Sequence, residues 1–193
     1  MDKRIKKTRR NLKNALTELL QEKAFEKITV TEICERADTS RITFYTHYSD
    51  KYDLLENLFN DREAMMVDYF AELQKTTNPD DNPLLSYQNL LDAFLEAFYN
   101  QFNFFHSAPM QNNLDLMFLY YRFVTTHIEE FEVQYAQKME SKYPRKQLSA
   151  FLALGIFGFI HQADEAHVPV EQIQKDALEL MGDIVNSDIF VKK

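Results

Sequence analysis

Residues 29–51 read TVTEICERADTSRITFYTHYSDK, and this stretch predicts two short helices joined by a tight turn. Thr29 is a helix N-cap, and Glu32 three residues on completes a capping box. Ile33 and Ala37, four apart, give the first short helix one apolar face. Asp38 and Thr39 follow as a turn, and Ser40 is a second N-cap. The second helix is expected over residues 41–48, with Phe44 and Tyr48 facing inward. That leaves Arg41, Thr43, Thr46, His47 and nearby Tyr45 for other faces. A helix of about two turns that buries so little is kept for what it presents. Here it presents one cation, hydroxyls and an imidazole, groups that donate to phosphates and reach base edges in a major groove. The pattern is a helix-turn-helix with residues 41–48 as recognition helix.

At these residues the chain resembles the tetracycline-repressor (TetR) family of bacterial transcription regulators. That family's pattern is a capping threonine, a turn of the form I-A-x-x-A-G-V-S and a T-F-Y-x-H-F-x-x-K run. This chain carries T-V-T-E-I-C-E-R-A-D-T-S and T-F-Y-T-H-Y-S-D-K, and the resemblance covers residues 8–59. Two positions depart from it. Asp38 stands where glycine is usual, so an Asp has to take a left-handed conformation, which it tolerates better than most residues. Cys34 stands where alanine is usual and reads as a buried small residue. The candidate DNA contacts are Thr31, Ser40, Arg41, Ile42, Thr43, Tyr45, Thr46, His47 and Lys51. Arg41 and Thr43 are expected at base edges. Tyr45, Thr46, His47 and Lys51 lie further along and are expected to hold the backbone; for Lys51, a cation in the first turn of a helix opposes the helix dipole and calls for another role.

Charge divides the chain in the same place. Residues 1–51 hold twelve Lys/Arg against eight Asp/Glu, and the remaining 142 hold ten against twenty-two. A basic N-terminal quarter on an acidic body points to different partners for the two parts. Lys3, Arg4, Lys6, Lys7, Arg9, Arg10 and Lys13 crowd the first half of a predicted helix over residues 1–22, whose apolar period is Ile5, Leu12, Leu16, Leu19 and Leu20. They read as an arm that tracks phosphates. A single Cys cannot form an internal disulfide, which fits a reducing compartment. No apolar signal core follows the basic start, and the longest apolar run, 151–160, is about half a membrane span. A cytoplasmic protein is expected.

With only three Gly and five Pro in 193 residues, the expected class is all-α: an N-terminal three-helix helix-turn-helix domain over residues 1–50, and a C-terminal helical bundle over 51–193 for ligand binding and dimerisation. About nine helices in total are expected. Periodicity places them at 51–75, 84–105, 110–142, 145–166 and 170–186 after the recognition helix, with a break at residues 106–109 and no strand-period segment. The aromatic-rich body invites an apolar cavity. Its candidate lining is Tyr69, Phe94, Phe98, Phe102, Met117, Tyr120, Tyr121 and His127. The alternative is a solid aromatic core, and it is mainly the resemblance that favours a cavity for an apolar or aromatic effector.

Gly155 and Gly158 sit inside an apolar helix, each costing about 1 kcal/mol relative to Ala. A close backbone neighbour explains them, either another helix of the same chain or a twin subunit. The resemblance favours the twin, since members of the family dimerise through their last two long helices. Leu154, Gly155, Phe157, Gly158, His161, Leu180 and Ile184 are the candidate dimer contacts. The histidines show no dense ligand spacing, and no nucleophile is flanked by a recognisable base or Gly-rich loop, so no cofactor, metal or catalytic residue is expected. The resemblance implies a repressor, released by a small molecule, that binds a palindromic duplex operator as a homodimer. The competing class is an all-helical enzyme or an interaction adaptor without operator-specific DNA binding.

Overall fold

A computed structural model describes residues 3–101, 114–135 and 137–192. The structure is all-helical apart from one small ribbon. Among the described residues the helices are α1 (Lys3–Glu22), α2 (Val30–Arg36), α3 (Arg41–Tyr45), α4 (Lys51–Thr77), α5 (Pro83–Glu96), α6 (Leu114–Gln134), α7 (Arg145–Glu165) and α8 (Val170–Asn186). A 3-10 turn at Phe25–Lys27 precedes α2, and α5 runs into a π-helical turn at Ala97–Gln101. The break expected at residues 106–109 lies outside the described residues. Two compact units emerge: Met1–Ala64 with Tyr99–Leu119, and Met65–Phe98 with Tyr120–Lys193.

In the first unit, α1 turns Leu12, Ala15, Leu16, Leu19 and Leu20 inward. Its apolar period begins at Leu12, because Ile5 is exposed. Phe25, Ile28, Ile33, Phe44, Leu54 and Leu55 complete a closely packed centre. The capping box of α2 is present. Thr29 Oγ1 accepts from the Glu32 amide at 3.2 Å, and Glu32 Oε2 accepts from the Thr29 amide at 2.9 Å. Lys23 pairs with the same carboxylate at 2.5 Å. Lys23 first, then the Thr29 amide and hydroxyl, hold the Glu32 carboxyl at about 2, well below its ordinary 4.5. Asp38 has φ 49°, and around it the Thr39 amide donates to Cys34 O at 2.9 Å and the Asp38 amide to Glu35 O at 3.2 Å. This is a Schellman closure in which an Asp takes the glycine conformation. Cys34 is buried.

Lys51 closes the unit. Its ammonium donates to Phe25 O at 2.9 Å, Glu26 O at 3.0 Å and Ile28 O at 2.9 Å, and lies 4.6 Å from the Phe25 ring centroid. One side chain at the start of α4 therefore adds a donor to three carbonyls around the 3-10 turn, of which Phe25 O also accepts from the Ile28 amide at 3.0 Å.

In the second unit, α5 packs along α8, and the buried Gly182 of α8 faces Gln88, whose Nε2 would lie 3.2 Å from an added Cβ. A polar cluster joins the end of α4 to α5 and to Tyr135. Gln74 Nε2 donates to Ser86 Oγ at 2.7 Å, Asn89 Nδ2 donates to Gln74 Oε1 at 2.6 Å, and the Tyr135 hydroxyl donates to Asp81. Two expectations need correction here. The helix expected to run to residue 142 ends at Gln134, and residues 139–141 form a strand, β1 (Met139–Ser141), antiparallel to β2 (Phe190–Lys192) in the register Ser141↔Phe190. Its pairing partner lies about fifty residues on, so no local period announces it.

Two stability predictions follow from these contacts. Replacing Asp38 by Gly removes the left-handed penalty and should raise stability by about 1 kcal/mol, read as a higher urea midpoint. Replacing Lys51 by Ala takes the charged donor from three carbonyls, of which Phe25 O keeps the Ile28 amide, and should lower stability by about 2 kcal/mol. A Lys51→Ala protein with an unchanged midpoint, and a slope of DNA affinity against salt reduced by about one phosphate, would restore a phosphate role for Lys51.

Candidate nucleic-acid interface

The recognition helix α3 spans five residues rather than eight; Thr46 and His47 continue it as a turn. Phe44 and Tyr48, both under 3% exposed, pin it to the core. The Arg9 guanidinium lies 5.4 Å from the Tyr48 ring centroid, and burial pushes the Tyr48 phenol up. Ser40 Oγ accepts from the Thr43 amide at 3.0 Å and lies 2.9 Å from Thr43 Oγ1. The Thr46 hydroxyl donates to Thr43 O at 2.7 Å. The hydroxyls of Ser40, Thr43 and Thr46 thus close the helix's own ends. The side chains that project are Arg41, Ile42 and Tyr45, the last held edge-on against Phe44 at 5.4 Å. Thr31 is exposed and His47 half-buried.

Lys51, expected as a phosphate contact, donates here to three backbone carbonyls of its own chain. Lys13 is similarly engaged, 2.5 Å from Asp61 Oδ2 and 3.0 Å from Asn57 O. Lys3, Arg4, Lys6, Lys7 and Arg10 are exposed along α1.

Among the described residues, three of the effector candidates fall on two separate hollows. Phe94 and Tyr120 line an apolar seam with Tyr87, Leu90, Leu91, Val124, Ile128, Leu152, Ile156 and Met181, and its free volume is about 20 Å³. That is space for about one water. Phe98 packs against Tyr120 at 5.9 Å, and burial pushes the Tyr120 phenol up. His127 lines a different, half-open hollow of about 170 Å³ with Met66, Val67, Phe70, Leu90, Glu130, Phe131 and Gln134. His127 Nδ1 lies 3.4 Å from Glu130 Oε2. Tyr69 is exposed and Tyr121 half-buried, and neither lines either cavity. Phe102 and the Met117 side chain lie outside the described residues. The lining residues on α7 and α8 were missed in the sequence because their periods read simply as core.

The dimer candidates share one region of α7 and α8. Leu154, Gly155 and Leu180 are exposed, and Phe157, Gly158, His161 and Ile184 are half-buried. Phe151, not anticipated from the sequence, is 68% exposed on the same helix. Among the described residues, a Cβ built on Gly155 or Gly158 meets nothing within 4 Å, whereas one on Gly182 meets Gln88.

Among the described residues, no three His, Cys, Asp or Glu side chains gather as a metal-binding group, and no helix is long and apolar enough to cross a membrane.

Comparison with known proteins agrees with this geometry. The model of the family described as bacterial regulatory proteins, tetR family, matches residues 14–58. An uncharacterised HTH-type transcriptional regulator of Bacillus subtilis (strain 168), YxbF, is 30% identical over 101 residues, which are 52% of this chain. The match spans about a quarter, 26%, of that relative's length. Among solved structures, a regulator from Syntrophomonas wolfei assigned to the TetR family superposes with a TM-score of 0.73 at 14% identity, covering 95% of this chain and 97% of that one. The dihydroxyacetone kinase operon activator DhaS gives 0.61 at 15%, covering 92% and 96%. At these identities the likeness is one of fold. Residues 14–58 thus form a tetR-type helix-turn-helix domain, carried on a helical body that shares the fold of solved TetR-family regulators.

Proposed function

We propose that the chain is a ligand-responsive repressor that binds a palindromic duplex operator as a homodimer. Residues 1–50 read DNA, and residues 51–193 hold the effector and the dimer contacts. The observation that carries this reading is the pinned five-residue helix α3, which turns Phe44 inward and presents Arg41, Ile42 and Tyr45 outward beside a cationic α1. A dimer sets two such helices about 34–36 Å apart, one duplex turn, in successive major grooves.

The apolar region around Phe151, Leu154 and the two open glycines supports α7 and α8 as the self-association surface. An apolar or aromatic effector acts by opening the narrow seam around Phe94 and Tyr120. It shifts the equilibrium only as far as it prefers the open state. The proteins this chain is similar to include one named a regulator and one named an operon activator, so the sign of control is tested separately, with a reporter driven by the selected operator. Expression should rise when this protein is withdrawn.

The central test is selection of duplexes from a random pool by the full chain, followed by salt titration. An inverted repeat should be enriched, with affinity falling steeply as salt rises. Enrichment of no sequence would overturn the operator reading.

The dimer has its own test. Gly158→Leu should give monomers in sedimentation, because a four-carbon side chain fills the space reserved for the facing helix. An unaltered dimer would place the interface elsewhere.

A further inference from the structure

Ile42 is 80% exposed, the highest exposure of any large apolar side chain among the described residues. It lies in a helix of five residues, where a β-branched side chain adds nothing to helix stability. The core is served by Phe44 and Tyr48, and the caps by Ser40, Thr43 and Thr46. Neither the fold nor the caps account for Ile42.

Its neighbours narrow the occupant. Arg41 and Tyr45 project from the same short helix, and the cations Lys3, Arg4, Lys6, Lys7 and Arg10 lie along α1. A unit whose exposed side chains include Arg41 and these five cations complements a polyanion. On a duplex, the apolar group displayed on base edges in the major groove is the C5 methyl of thymine.

We infer that Ile42 is a specificity-determining residue that reads a thymine methyl in each half-site of the operator. This rests on the reading of α3 as recognition helix. It places methyl recognition on Ile42 rather than on the neighbouring Thr43, whose hydroxyl lies against Ser40.

The test starts from the duplex selected by the full chain. Each thymine is replaced in turn by uracil, which removes the methyl group and leaves the hydrogen-bonding edge intact. At one symmetric position the wild-type protein should lose about fourfold in affinity per methyl, the equivalent of ~0.8 kcal/mol for one buried carbon. Ile42→Ala should bind the thymine duplex as weakly as wild type binds the uracil one, and should not distinguish the two. Since Ile42 is largely exposed and Ala is the better helix former, the variant should keep the wild-type urea midpoint.

Indifference of the wild-type protein to every thymine-to-uracil change would overturn the inference. So would an Ile42→Ala variant with undiminished uracil sensitivity. Loss of that sensitivity in Thr43→Ser instead would assign the methyl to Thr43. A selection that enriches no sequence fails earlier, at the operator reading, and removes the basis for this inference as well.

Discussion

The Lys51 ammonium is the point on which the N-terminal unit depends. A helix start tolerates a cation poorly, yet here the charge sits at the first turn of α4 and turns back onto the carbonyls of Phe25, Glu26 and Ile28. Those carbonyls belong to a 3-10 turn and its exit, where helix hydrogen bonding runs out. Two aromatic rings, Phe25 and Tyr52, meet edge to face at 5.2 Å beside the same nitrogen. The start of α4 and the connector before α2 are thereby held as one piece. The orientation of α3, which follows α2 after a tight turn, inherits that rigidity.

On this base α3 can be very short. A five-residue helix is below the length at which helices persist alone, and tertiary anchors replace its missing turns. Phe44 and Tyr48 are buried, and Ser40, Thr43 and Thr46 close its ends with local hydrogen bonds. The result is a small rigid platform whose outward side chains are free of structural duties. The division of labour is sharp. Polar groups near the platform serve the caps, while the side chain with the highest exposure is an isoleucine.

The body uses its polar and apolar groups differently. The end of α4 is joined to α5 by a cluster in which Gln74, Ser86, Asn78 and Tyr135 satisfy one another. The Asp81 carboxyl is held below its ordinary range by Lys138 first and Tyr135 second. Buried polar groups of this kind specify one arrangement, because any shift strands a donor or acceptor. The apolar seam around Phe94 and Tyr120, by contrast, has little free volume. An occupant of this seam larger than a water requires its side chains to move.

The sequence by itself determined those features whose physics is local. The Thr29–Glu32 capping box, the Ser40 cap, the left-handed Asp38 and the inward Phe44 each involve groups within a few residues of one another. Side-chain caps and the helical period act over that range, and so the helix-turn-helix was legible. The tertiary structure alone decided what depends on distant partners. Lys51 and Lys13 read as cations for phosphates, and the fold also gives them carbonyls and a carboxylate from elsewhere in the chain. Residues 139–141 looked helical until residues 190–192 paired with them. The two glycines of α7 read alike in either packing arrangement, and among the described residues it is Gly182 that has a close neighbour. A charge or a glycine states only what it is able to do. Which of its possible partners it meets is a long-range outcome of packing, and that information is not carried in any window of a few residues.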